Sequence, residues 1–120
     1  MRGVDLNVST RQQDGYAVVA ATGEIDLHTA PRLQTELAEQ VLDEGGQLIV
    51  DLSGVEFCDS TGVNVLLAAM RRANEQGGTL TLIHPQPAVR KVLGITGLDS
   101  VFPVRDTIAD AIDNPPAREQ

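Results

Sequence analysis

The spacing of apolar residues divides the chain into short segments of two kinds. Val4, Leu6 and Val8 alternate with polar residues and predict a half-exposed strand over residues 4–10. Gln13-Asp14-Gly15 supplies a turn, Asp-Gly being a frequent hairpin dipeptide, and Tyr16 to Thr22 reads as a second strand antiparallel to the first. That strand runs into Gly23-Glu24-Ile25-Asp26, where glycine permits a backbone conformation closed to other residues. From Thr29-Ala30-Pro31 the period becomes helical. Thr29 is expected as N-cap, Pro31 sits in the first turn, and Leu33, Leu37 and Val41 form the buried stripe before Gly45-Gly46 ends the helix.

Leu48-Ile49-Val50-Asp51-Leu52 has the composition of a buried strand, expected over residues 47–52. Beyond Phe57-Cys58-Asp59-Ser60-Thr61-Gly62, the residues Val63, Leu66, Leu67 and Met70 recur at i, i+3, i+4 and i+7. This predicts a helix from 60 to 76, closed by Gly77-Gly78. Thr79 to His84 comes next as a strand, with Leu80 and Leu82 on one face and Thr79, Thr81 and Ile83 on the other. Pro87 opens a short helix with Val89, Val92 and Leu93 inward; a loop over 94–98 leads to a short strand over 101–104. Asp106 is expected to cap a last helix whose inner residues are Ile108, Ala111 and Ile112. The order β-β-α-β-α-β-α-β-α implies an α/β domain: a mostly parallel sheet with an antiparallel first strand, and helices packed on it. One domain is expected over residues 1–113, with 114–120 as a flexible tail.

The stretch between the buried strand and the long helix carries the candidate chemistry. Asp59, Ser60 and Thr61 fall at a helix N-terminus, where free backbone N–H groups collect and negative charge is favoured. A hydroxyl there is placed to carry a phosphate. The plainer alternative is that Asp59 or Ser60 is only an N-cap. Gly62 inside the first turn costs about 1 kcal/mol against alanine, which points to a close approach there. Either the strand ending at Asp26 or a partner makes that approach.

Composition narrows the function. The chain of 120 residues has two phenylalanines and one tyrosine, so its core is built from Val, Leu, Ile and Ala, and no aromatic base-stacking platform is available. A net charge of -8 argues against nucleic acid and anionic membrane as partners. The single cysteine, Cys58, excludes an internal disulfide and any multi-cysteine metal site; it reads as a small buried apolar residue. His28 and His84 stand apart from each other, so no metal site and no cofactor are expected. There is no Gly-x-Ser-x-Gly elbow, no phosphate-binding loop motif, and no assignable base for Ser60, which argues against an enzyme. A two-component receiver fits poorly, because Lys91 falls within a helix rather than at a strand end. The N-terminus lacks an apolar signal segment and no run approaches membrane-spanning length, so a cytoplasmic location is expected.

Three segments together resemble the STAS domain, in its stand-alone bacterial form, the anti-sigma factor antagonist. Gly23-Glu24-Ile25-Asp26 with Ala30-Pro31 resembles the family's loop after its second strand. Phe57-Cys58-Asp59-Ser60-Thr61-Gly62-Val63 resembles its Asp-Ser-Ser/Thr-Gly-Leu signature, with Val63 in place of the usual Leu and Asn64 where Gly is common. Leu93-Gly94-Ile95-Thr96-Gly97-Leu98 resembles its late Ile-Thr-Gly-Leu loop. The resemblance implies that Ser60 is phosphorylated by an anti-sigma factor that is also a serine kinase. It implies that the unphosphorylated form binds that factor and frees the sigma factor, and that a PP2C-type phosphatase restores this form. The binding surface then comprises Glu24, Asp26, Asp59, Ser60, Thr61, Gly62 and Asn64. Arg71 and Glu75 extend it or simply form a solvated i,i+4 pair. Two rivals use the same fold: a STAS subunit of a transporter or stress-sensing assembly, and a small-ligand or lipid-binding protein.

Overall fold

A computed structural model describes residues 5–44 and 46–116 of the chain. In order, the elements are β1 (Leu6–Gln13), β2 (Tyr16–Ile25), α1 (Ala30–Glu44), β3 (Gln47–Cys58), α2 (Ser60–Glu75), β4 (Thr79–Ile83), α3 (Pro87–Ile95), β5 (Val104–Arg105) and α4 (Ile108–Asp113). The strands lie side by side in sequence order in one sheet. β1 and β2 are antiparallel, and every later neighbour pair is parallel, as the element order implied. Asp14 and Gly15 both take positive φ, as a two-residue primed hairpin turn requires.

The strands feed two cores of unequal size. Leu48, Val50 and Leu52 of β3 and Leu80 and Leu82 of β4 face the larger one, which Leu33 and Leu37 of α1, Leu66 of α2 and Leu93 of α3 close. The opposite face buries Val18, Ile49 and Ile83 under Ala111 of the short α4, with Tyr16, Ile108 and Ile112 at its margin. All five residues of β4 are buried because helices lie on both sides of it. Phe102 is the one phenylalanine in the core.

Several boundaries differ from the sequence expectation, each for a local reason. β3 runs to Cys58 rather than ending at 52, because β2 continues alongside it as far as Ile25. The pairing slips twice, between Ala20 and Thr22 and between Gly23 and Glu24, and these bulges break the alternation that marks a strand. α3 reaches Ile95 and takes in the start of the expected 94–98 loop; a single 3₁₀ turn over Leu98–Ser100 comes after it, leaving β5 only two residues. Thr107, not Asp106, caps α4, its hydroxyl accepting from the Asp110 N–H at 3.0 Å. Asn114 is the C-cap of that helix, donating from its backbone N–H and its side chain to Asp110. Val4 and residues 117–120 of the expected tail lie outside the described residues.

Gly23 meets a strict requirement. Its φ is +119°, and a Cβ there would stand 1.9 Å from the Asp5 carbonyl oxygen. No other residue type fits that approach without displacing the hairpin.

Candidate functional site

The site forms where β2 and β3 end side by side. Ile25 pairs with Cys58, and the Asp59 N–H donates to the Ile25 carbonyl at 3.1 Å. The next residue starts α2. Asp59 keeps an extended backbone (φ -94°, ψ -175°) and its Oδ1 accepts from the Gly62 N–H at 3.1 Å, so the cap is Asp59. Ser60 is therefore the first helical residue, released from capping, and its side chain is exposed. Among the described residues none hydrogen-bonds its hydroxyl. Thr61 is half-buried one step further, and Asn64 is exposed one turn along the helix.

Gly62 is buried. A Cβ there would meet Ile25 Cγ2 at 2.5 Å and Cys58 Sγ at 2.7 Å, so the close approach is made by the end of β2. Of the two explanations the sequence left open, packing is the one the geometry supplies. Cys58 is buried beneath the same turn; burial, with the Asp59 carboxylate beside it, pushes its thiol pKa up to about 12. Such a thiol stays protonated and inert.

The loop from β2 to α1 is clamped by two side chains. Asp26 Oδ1 accepts from the N–H groups of His28 at 2.9 Å and Thr29 at 3.0 Å. Thr29 Oγ1 accepts from the Asp26 N–H at 2.9 Å and donates to the Glu24 carbonyl at 2.8 Å. The expected role of Thr29 as a side-chain cap for α1 is thus replaced: its hydroxyl is spent on the loop, while its carbonyl accepts from Arg32. The N–H donors, Thr29 first, hold the Asp26 carboxyl below the usual carboxylate range. Glu24 is half-buried and lies opposite Phe57 in the register.

Glu24, Asp26, Asp59, Ser60, Thr61 and Gly62 are accordingly brought together, with Asn64 a turn away. Arg71 and Glu75 lie about three to four turns down α2, both exposed, with no ion pair between them among the described residues. Two features went unread in the sequence. Thr29 locks the loop, a role that depends on Glu24 and Asp26 folding back on it. Leu27 and Phe57 stand out in solvent at this end of the sheet, an orientation set by the loop and by the second bulge.

Among the described residues no group of three His, Cys, Asp or Glu could hold a metal ion, and no helix is long and apolar enough to cross a membrane. Surface hollows of about 20, 120 and 250 Å³ lie elsewhere on the molecule, and Ser60 lines none of the three. They are smaller than the ~300–1,000 Å³ usual for a small-molecule site.

A family model for the STAS domain matches residues 7–111. The chain is similar to the anti-sigma-F factor antagonist RsfB of Mycobacterium tuberculosis, with 33% identity over 107 residues, covering 89% of this chain and 87% of the relative. Its fold is similar to a crystal structure of an anti-sigma factor antagonist from Mycobacterium paratuberculosis: TM-score 0.82, 35% identity, 91% of this chain and 92% of that one. The anti-sigma factor antagonist SpoIIAA in its unphosphorylated form aligns with TM-score 0.75 and 26% identity over 89% of this chain and 94% of its own.

Proposed function

Because the chain belongs to the STAS domain family, we propose that it is an anti-sigma factor antagonist switched by phosphorylation of Ser60. The unphosphorylated form binds an anti-sigma factor that is also a serine kinase, and the sigma factor is released. Transfer of the ATP γ-phosphoryl group to Ser60 Oγ, with loss of the hydroxyl proton to a kinase base, ends that binding; a PP2C-type phosphatase reverses it. The protein is a substrate and a regulator, not an enzyme, and it works in the cytoplasm. One observation carries this reading: capping falls to Asp59, so Ser60 stands exposed at the first helical position with an unbonded hydroxyl.

The physics supports a switch that spares the fold. A phosphate adds about -1.5 to -2 charges at neutral pH. At the start of α2 the helix dipole and first-turn N–H groups favour an anion. The interface is less tolerant, since Asp59, Asp26 and Glu24 already supply negative charge beside it. An interface fitted to a neutral hydroxyl has to desolvate the added charge, at a cost of several kcal/mol, and at ~1.4 kcal/mol per decade the expected loss of affinity is about 10²–10³-fold.

The test is a pull-down of wild type, Ser60→Ala and Ser60→Asp from the source organism's lysate, with partners identified by mass spectrometry. An anti-sigma serine kinase bound by wild type and Ser60→Ala but lost with Ser60→Asp supports the switch. The same partner retained by all three overturns it and favours a STAS subunit of a larger assembly.

A further inference from the structure

Two large apolar side chains stand in solvent at the end of the sheet that carries Ser60. Leu27, 68% exposed, lies in the loop between β2 and α1; Phe57, 45% exposed, is the next-to-last residue of β3. The pair Ile25–Cys58 joins the strands they extend from, with Leu27 two residues past Ile25 and Phe57 one before Cys58. They therefore flank one junction, and Asp59 and Ser60 come directly after it.

Phe57 is turned outward by the backbone. Val55 is buried, so strict alternation along β3 would bury residue 57 and expose residue 58. The slip between Gly23 and Glu24 inserts one extra residue in β3, and the order reverses: Cys58 goes into the core and Phe57 goes out. A bulge that re-aims a side chain beside a functional site is a recurrent device of sheets. Leu27 is displayed with equal definition, because Asp26 and Thr29 clamp the residues on either side of it. A loop whose backbone is already held in its presented geometry loses little freedom on binding.

We propose that Phe57 and Leu27 are the apolar anchors on which the Ser60 kinase docks, separate from the hydroxyl it modifies. The inference rests on the reading of Ser60 as the phospho-acceptor. The surroundings specify the partner's chemistry. Asp26 and the exposed Glu56 adjoin Leu27 and Phe57 along the chain, Asp59 follows Phe57 by two residues, and the chain as a whole carries -8. The matching kinase surface has an apolar hollow with a basic border next to its active site. Aromatic anchors flanked by polar groups carry a large share of binding energy at such interfaces.

The experiment measures phosphorylation of the purified chain by its purified anti-sigma serine kinase with labelled ATP. Wild type is compared with Leu27→Ser, Phe57→Ser, the double variant and Leu42→Ser. Leu42 is 75% exposed in the last turn of α1, at the opposite end of the sheet, and serves as the control. The expected result is a KM for the protein substrate raised at least tenfold by each single change and at least a hundredfold by the double. The kcat stays within twofold, melting temperatures are retained, and Leu42→Ser behaves as wild type. An unchanged KM in the double variant overturns the docking proposal alone. A rise in KM that Leu42→Ser shares equally also overturns it. Self-association of wild type that Phe57→Ser abolishes at unchanged KM assigns the patch to a second copy and overturns it too. Phosphate uptake by Ser60→Ala overturns instead the acceptor reading on which the proposal stands.

Discussion

Two turns leave neighbouring strands at the same end of the sheet, and each is organised by an aspartate. After β2, Asp26 gathers the N–H groups of His28 and Thr29 on one oxygen, and Thr29 closes the loop from the other side. After β3, Asp59 gives one oxygen to the Gly62 N–H and leaves the next side chain alone. Similar chemistry yields opposite results. One carboxylate saturates its loop and makes it rigid; the other starts a helix and frees a serine. The difference lies in the residue three positions beyond each aspartate: Thr29, which folds back, against Gly62, which lets α2 sit directly on Ile25.

The comparison breaks hardest at Gly23, one residue before the clamped loop's first carbonyl acceptor. Gly23→Ala forces a Cβ onto the Asp5 carbonyl at positive φ. It is expected to cost about 3 kcal/mol or more in urea denaturation, at the severe end of overpacking and strain effects. Asp26→Ala is expected to lower the melting temperature by more than Asp59→Ala does, because it strips acceptors from two N–H groups instead of one. For Asp59→Ala the loss is that of an N-cap, about 1 kcal/mol. If the two aspartate variants melt alike, the clamp is no stronger than a simple cap.

A pH titration sharpens the contrast. The Asp26 carboxyl is held below its ordinary value of 3.8 in the folded state, so its stabilising contribution is complete above that value. It is lost as pH falls through the lower folded pKa, since the unfolded chain then binds the proton more readily. Asp26→Asn should flatten the acid limb of stability between these two pKa values while leaving stability near pH 7 dependent only on its hydrogen bonds. A wild-type and variant pair with identical acid limbs would mean that the Asp26 charge contributes nothing to the clamp. The smallest signal expected is from Cys58. With its pKa pushed up to about 12 and its side chain buried, it should resist alkylation at pH 8 until the domain unfolds.

The elements and their order were legible along the chain because helical and strand periodicities are local. Leu33, Leu37 and Val41 are all buried on α1, and Val63, Leu66 and Met70 on α2. The hairpin turn at Asp14-Gly15 and the helix start at Asp59 arise from residues within four positions of each other. Where local cues were outweighed, a distant segment was responsible. Thr29 looked like a cap and became a clamp because Glu24 and Asp26 turn back to it. β3 looked six residues long because its second half alternates only after two slips against β2.

By itself, then, the sequence determined an α/β chain with an Asp-Ser-Thr-Gly run at the start of a long helix, since helix-start, glycine and apolar-spacing signals act within one turn. Only the tertiary structure decided which residue caps and which is free, why Gly62 must be small, and that Phe57 points outward while Cys58 is buried. The last two outcomes depend on the register between β2 and β3, two strands separated by a whole helix. Register is a property of packed neighbours, and no window of sequence contains both.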